Sequence, residues 1–90
     1  MKTIWKYPLK VEGEQTIKMP AGSSLLCVKT QYDRPCLWAM VDDSAPMEDV
    51  RILCYGTGHR VDESSLLTYL GSVMLRESNF VLHFFIAPAE

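Results

Sequence analysis

The chain has 90 residues, of which 48% are hydrophobic and 22% charged, and its formal net charge at pH 7 is -2. This length fits a single domain over residues 1–90, and the composition excludes a disordered, collagen-like or coiled-coil chain. With so small a net charge, the chain offers no overall field that would hold it on nucleic acid or on an anionic membrane. Because a domain of this size builds only a limited core, we expect a homo-oligomer.

Turn-forming clusters divide the chain into runs of about five to eight residues, the usual length of β-strands. We predict strands over residues 3–9, 14–19, 25–32, 36–41, 50–55, 72–75 and 79–86. A turn at 77–79 is short enough to make the last two strands a hairpin. Segment 61–70 lacks the apolar stripe of an amphipathic helix, so we expect a loop with at most one helical turn. The predicted class is all-β or β-dominated: a small antiparallel sandwich or half-open barrel of about seven strands, with at most one short helix.

The fourth predicted strand is apolar on both faces. One face carries Leu37, Ala39 and Val41, and the other carries Cys36, Trp38 and Met40. Strands of this kind lie at the centre of a sheet or between packed layers. We therefore expect Leu37, Trp38 and Val41 in the core.

The three cysteines, Cys27, Cys36 and Cys54, all lie in apolar runs. Their odd number cannot complete an intrachain disulfide framework, and no pair has the C-x-x-C spacing of a zinc or redox site. Free, buried thiols in a reducing cytoplasm are the simplest interpretation. The apolar runs are also too short for a signal peptide or a membrane span.

The most distinctive segment is residues 55–60, which read Tyr-Gly-Thr-Gly-His-Arg. Glycines permit positive φ and bring backbone N–H groups close to a ligand, and successive free N–H groups form an anion-binding nest. The predicted ligand-binding residues are Tyr55, Gly56, Thr57, Gly58, His59 and Arg60, with Tyr69 as a ring for a base. The alternative is a tight turn whose two cationic side chains are simply solvated.

No combination of residues at fixed spacing points to catalysis. His83 lies in the last predicted strand, where we expect a hydrogen-bonded side chain on a half-buried face rather than a base. The carboxylates at 42–43 and 48–49 belong to an acidic loop, which we expect to be solvated rather than to bind a metal. We therefore predict no catalytic residue, no metal and no cofactor. Lysines and arginines alternate with acids along the strands, which argues against a nucleic-acid groove.

Six segments carry a resemblance that covers nearly the whole chain in order. They are MKTIWKYPL at 1–9, MPAG at 19–22, PCLWAMVD at 35–42, YGTGH at 55–59, YLGS at 69–72 and VLHFF at 81–85. Together they resemble a family of short uncharacterised phage and prophage proteins. In that family YGTGH is usually followed by proline, where this chain has Arg60. The matching positions of the loop are therefore Gly56, Thr57, Gly58 and His59.

This resemblance implies a small accessory protein of the host-cell cytoplasm that acts by binding. One class of phage antagonists sequesters nucleotide immune signals between identical subunits, and we expect a comparable phosphorylated ligand here. The alternatives are inhibition of a host defence protein through an apolar face or the acidic segment 42–49, or a phage structural or housekeeping role.

Overall fold

Seven antiparallel strands in two sheets form the protein, and they were characterised in a computed structural model that describes residues 1–61, 66–76 and 79–88. The strands are β1 (Lys2–Pro8), β2 (Glu14–Pro20), β3 (Ser24–Gln31), β4 (Arg34–Asp42), β5 (Met47–Gly56), β6 (Thr68–Leu75) and β7 (Phe80–Ala87). The described residues include no helix, which confirms the predicted all-β class. In the same residues, no helix has the length and apolarity needed to cross a membrane.

The strand order explains where each element lies. The first sheet has the order β1-β4-β3, and the second has the order β2-β5-β7-β6. The two sheets meet where β3 runs beside β6, and there a Cβ added at Gly71 would lie 3.9 Å from the backbone N and O of Val28. By hydrogen bonding, β1 and β3 are the edge strands of the first sheet, and β2 and β6 are those of the second. The fold is therefore an open two-sheet sandwich and not a closed barrel.

The core draws its side chains from both sheets. Its buried members are Leu9, Met19, Val28, Leu37, Ile52, Val73, Leu82 and Phe84. In β2 and β7 these residues alternate with more exposed ones, as the period-two pattern predicts. This alternation fixes which side chains of the second sheet point outward.

The expectation for β4 is correct in part. β4 lies between β1 and β3, as its two apolar faces predict, and Leu37 and Val41 are fully buried. Trp38 is only half-buried, so its placement in the core is wrong. The reason is that only one face of β4 meets the other sheet, while Trp38 and Met40 point to the outer face of the first sheet.

Two strands begin three or more residues earlier than the sequence pattern predicts. β6 begins at Thr68 rather than Ser72, because its register shifts between Tyr69 and Gly71 and this bulge breaks the alternation of apolar residues. β5 begins at Met47 rather than Val50 and pairs there with β2. The pairing of β6 with β7 confirms the last hairpin. Its turn at 77–79 lies partly outside the described residues, and so does the helical turn allowed within 61–70.

Candidate ligand-binding site

Residues 56–59 form a tight turn directly after β5. The backbone N–H of His59 donates to the carbonyl oxygen of Gly56 at 3.0 Å, and the backbone N–H of Gly56 donates to His59 Nδ1 at 3.2 Å. A Cβ added at Gly56 would lie 3.0 Å from the His59 ring, which is tighter than ordinary contact. The absence of a side chain at Gly56 is therefore what allows the imidazole to fold back over the strand end.

The backbone donors of this loop are mostly used within the protein. Besides the two bonds above, the N–H of Thr57 donates to the carbonyl oxygen of Val81 at 3.3 Å and extends the pairing of β5 with β7. Gly58 has φ of +89°, as expected for a glycine required by positive φ. Its N–H has no hydrogen-bond partner among the described residues, so the expected nest contributes one free donor rather than three.

The turn forms one wall of a pocket at the end of the sandwich. The pocket has a volume of about 490 Å³, and its lining includes Val11, Thr57, His59, Asn79, Phe80 and Leu82. An adjoining hollow of about 210 Å³ shares Val11, Gly56, His59 and Leu82 with it. Val11 and Phe80 are 55% and 63% exposed although both are apolar. Two large apolar side chains thus remain uncovered at a concave surface, which is the usual character of a small-molecule site.

His59 contributes a directed polar group to this apolar surface. Because its Nδ1 accepts the Gly56 N–H, the neutral ring carries its proton on Nε2, which has no partner among the described residues. The pocket can therefore hold a small molecule with an apolar or planar part and a hydrogen-bond acceptor.

Cys54 lines the smaller hollow but does not supply a nucleophile. All three cysteines are free thiols, as predicted, and Cys36 is buried whereas Cys27 and Cys54 are half-buried. Burial raises the pKa of the Cys54 thiol, so this group stays protonated at neutral pH.

A second group of polar and aromatic side chains lies on the outer face of the second sheet. His83 accepts or donates at both ring nitrogens: Nε2 lies 2.9 Å from Thr57 Oγ1, and Nδ1 lies 3.3 Å from the Tyr69 hydroxyl. The rings of Tyr69 and Tyr55 contact Phe85 edge-on, with centroids 5.2 Å and 5.8 Å apart. The expectation of a hydrogen-bonded, half-buried His83 is confirmed.

The structure divides the predicted site residues between these two places. Gly56, Thr57 and His59 line the pocket. Tyr55 and Tyr69 belong to the outer face, where their rings contact Phe85, and neither lines this pocket. Gly58 and Arg60 are exposed in and after the turn.

Sequence reasoning missed Val11, Asn79 and Phe80 as pocket residues. Val11 lies in the connection between β1 and β2, and Phe80 begins β7. The register of β5 with β7, in which Gly56 is opposite Leu82, brings Phe80 to the loop. The segment of Val11 is held beside β5 by the hydrogen bond from the Cys54 N–H to the Gly13 carbonyl oxygen. The one available signal was that Val11 and Phe80 are apolar residues close to the turn residues Gly13 and Asn79.

The acidic segment 42–49 is tied to its surroundings. Asp42 accepts hydrogen bonds from the Ser44 hydroxyl at 2.7 Å and the Ser44 N–H at 3.1 Å, and it pairs with the amino group of Met1. These contacts lower the pKa of Asp42 to about 2. Asp49 pairs with Lys18 at 2.8 Å across β2 and β5. These carboxylates therefore stabilise the turn after β4 and the pairing of β2 with β5.

The fold and the pocket together define a small all-β protein, an open two-sheet sandwich with a pocket of small-molecule size at one end. The chain belongs to the family described as domain of unknown function DUF7352, which matches residues 1–90. Neither a curated protein nor a solved structure matches the chain.

Proposed function

We propose that this protein binds a small nucleotide-like ligand, without turning it over, in the pocket beside residues 56–59. The observation that carries the proposal is that the pocket combines exposed apolar walls with a histidine whose orientation is fixed by a backbone hydrogen bond. A volume of about 490 Å³ falls within the roughly 300–1,000 Å³ of small-molecule sites.

The chemistry of a nucleotide matches the groups available. The exposed Phe80 ring offers a surface on which a base can stack. The Nε2 proton of His59 and the N–H of Gly58 are donors for oxygen or nitrogen acceptors. Arg60 follows the turn directly, and a guanidinium there adds the positive charge that a phosphate requires, since the chain as a whole has a net charge of -2.

The Thr57 hydroxyl lines the pocket and is hydrogen-bonded to His83 Nε2 at 2.9 Å. The proposal is restricted to binding because no carboxylate lies among the described residues that line the pocket, so none orients a histidine there as a base. The resemblance to short phage proteins supplies the biological setting. In it, the protein is an accessory factor that sequesters a phosphorylated signal of host anti-phage defence.

Calorimetry with cyclic and linear mono- and dinucleotides tests the proposal. We expect at least one of them to bind the wild-type protein, and Phe80→Ala to weaken that binding at least tenfold through loss of stacking. Tyr32→Asn is the matched control, because it removes an aromatic side chain that is 93% exposed and outside the pocket lining. Its affinity should equal that of the wild type.

Variants of the turn separate the polar contribution from the apolar one. Gly58→Val should abolish binding because a β-branched residue is strained at φ of +89°. His59→Ala should weaken binding by removing the directed donor, and thermal melting should verify that both variants fold. If no nucleotide binds the wild-type protein, or if Phe80→Ala and Tyr32→Asn bind equally well, the proposal is wrong.

A further inference from the structure

The outer face of the second sheet carries apolar side chains where a sandwich usually presents polar ones. Its apolar members are Leu53, Tyr55, Tyr69, Met74, Val81 and Phe85. The strand register places them in adjacent cross-strand rows. Leu53, Phe85 and Tyr69 form one row, and Val81 and Met74 form another, with His83 between the two rows.

Part of this face is already packed and part is left open. Leu53 is only 8% exposed although it lies outside the core cluster, which shows that neighbouring side chains of the outer face cover it. Tyr69 and Met74, at 54% and 61%, remain exposed. A cross-strand aromatic group with exposed apolar neighbours is the composition of an interface centre, in which aromatic residues and methionine are enriched.

The charges of the outer face favour a second copy of this chain as its partner. The outward side chains of β2 pair with those of β5, in the ion pairs Glu14–Arg51 and Lys18–Asp49. This side of the face is therefore close to neutral. A strongly acidic or basic partner finds no complementary charge there, whereas a second identical face meets no repulsion.

The accessible area of the chain is large enough for an interface of standard size. The chain exposes 6179 Å², whereas a compact monomer of its 10.2 kDa is expected to expose about 5,300 Å². The excess is close to the roughly 800 Å² that each partner buries in an interface of standard size.

We infer that the outer face of the second sheet packs against the same face of a second copy of this chain, in a symmetric dimer. The outer face of the first sheet is the rival surface, since it exposes Ile4 and Met40 as a cross-strand pair. That surface also carries Lys2, Lys6 and Lys29, whose charges would oppose one another across a two-fold axis. The neutral face of the second sheet has no such opposition.

Sedimentation at micromolar to submillimolar concentration tests the dimer and its face together. We expect the wild-type protein to sediment at twice 10.2 kDa, and Met74→Lys to sediment at 10.2 kDa over the same range. Ile4→Lys is the matched control, because Ile4 is 58% exposed, close to the 61% of Met74, but lies on the other sheet. It should remain a dimer.

A second variant tests the same face in case Met74→Lys does not fold. Ser72→Arg introduces a charge on the same face beside His83, at a residue that is already exposed, and it should also give the monomer. A wild-type protein that stays at 10.2 kDa overturns the inference. Dissociation by Ile4→Lys but not by Met74→Lys or Ser72→Arg overturns it as well. Val81 belongs both to this face and to the pocket lining, so the sedimentation experiment is carried out in the absence of nucleotide.

Discussion

At the scale of single residues, the turn between β4 and β5 depends on the charge of Asp42. The Ser44 hydroxyl, the Ser44 N–H and the amino group of Met1 all favour the ionised carboxylate, and its pKa falls from 3.8 to about 2. Because the folded pKa lies below the unfolded one, the stabilisation is present above pH 3.8 and is lost as the pH falls towards 2.

Ser44→Ala should reduce this pH-dependent stabilisation. Urea unfolding between pH 2 and pH 7 should show a variant less stable than the wild type at neutral pH, with the difference shrinking as the pH approaches 2. The physical reason is that protonated Asp42 no longer accepts these hydrogen bonds as a charged group. A difference that is constant across this range would contradict the role assigned to Ser44.

Tyr32 is a residue whose backbone conformation disfavours its own side chain. It precedes Asp33 in the two-residue turn from β3 to β4, and both residues have positive φ, 53° and 58°. Asparagine adopts this conformation more readily than tyrosine does. We expect Tyr32→Asn to raise the free energy of unfolding by about 0.5–1 kcal/mol.

Chemical denaturation measures the effect of Tyr32→Asn directly. Asp33 should be left unchanged in this experiment, because its carboxylate accepts the backbone N–H of Arg76 at 2.8 Å and thereby links the turn to the end of β6. A loss of stability would mean that the exposed Tyr32 ring makes a stabilising contact that outweighs its backbone preference.

At the scale of elements, neighbouring residues of β4 should respond differently to truncation. Leu37 is fully buried in the core, so Leu37→Ala should cost about 2–5 kcal/mol. Trp38 is half-buried on the outer face, and Trp38→Ala should cost no more than about 2 kcal/mol despite its larger side chain. Equilibrium unfolding of both variants checks the order, and a larger loss for Trp38→Ala would place that ring in an interface or a core.

β4 also shows what local patterning can and cannot predict. Leu37 and Trp38 lie on opposite faces of β4, and a strand with two apolar faces is predicted to be central in its sheet. It does not specify which face meets the other sheet, since that depends on how the sheets pack. The register shift between Tyr69 and Gly71 likewise has no signature in the sequence. For this reason the sequence pattern places the start of β6 at Ser72, four residues after its true start at Thr68.

In the candidate site, too, features set by neighbouring residues could be predicted, whereas contacts made by strand pairing could not. The positive φ of Gly58 could be predicted because it depends on the residues of one turn. The hydrogen bond between Thr57 and His83 joins residues 26 positions apart, and Phe80 reaches the turn only through strand pairing. Neither contact has a signature in a single sequence.

At the scale of the whole molecule, the proposed dimer makes thermal stability depend on concentration. Association stabilises the folded state by mass action, so the Tm of the wild-type protein should rise as the protein concentration is increased. The Tm of Met74→Lys should not change over the same range. Scanning calorimetry at several concentrations makes the comparison, and a constant wild-type Tm would count against the dimer.

The strand order has a consequence for how quickly the chain reaches this structure. Only β3–β4 and β6–β7 pair strands that follow one another in the chain, whereas β1–β4, β2–β5 and β5–β7 join strands separated by other elements. Closing these long segments costs chain entropy before the distant contacts repay it. We expect the two hairpins to form first and the outer strands β1 and β2 to join last. Folding should therefore take milliseconds to seconds, with β1 and β2 the last edges to be protected from intermolecular pairing.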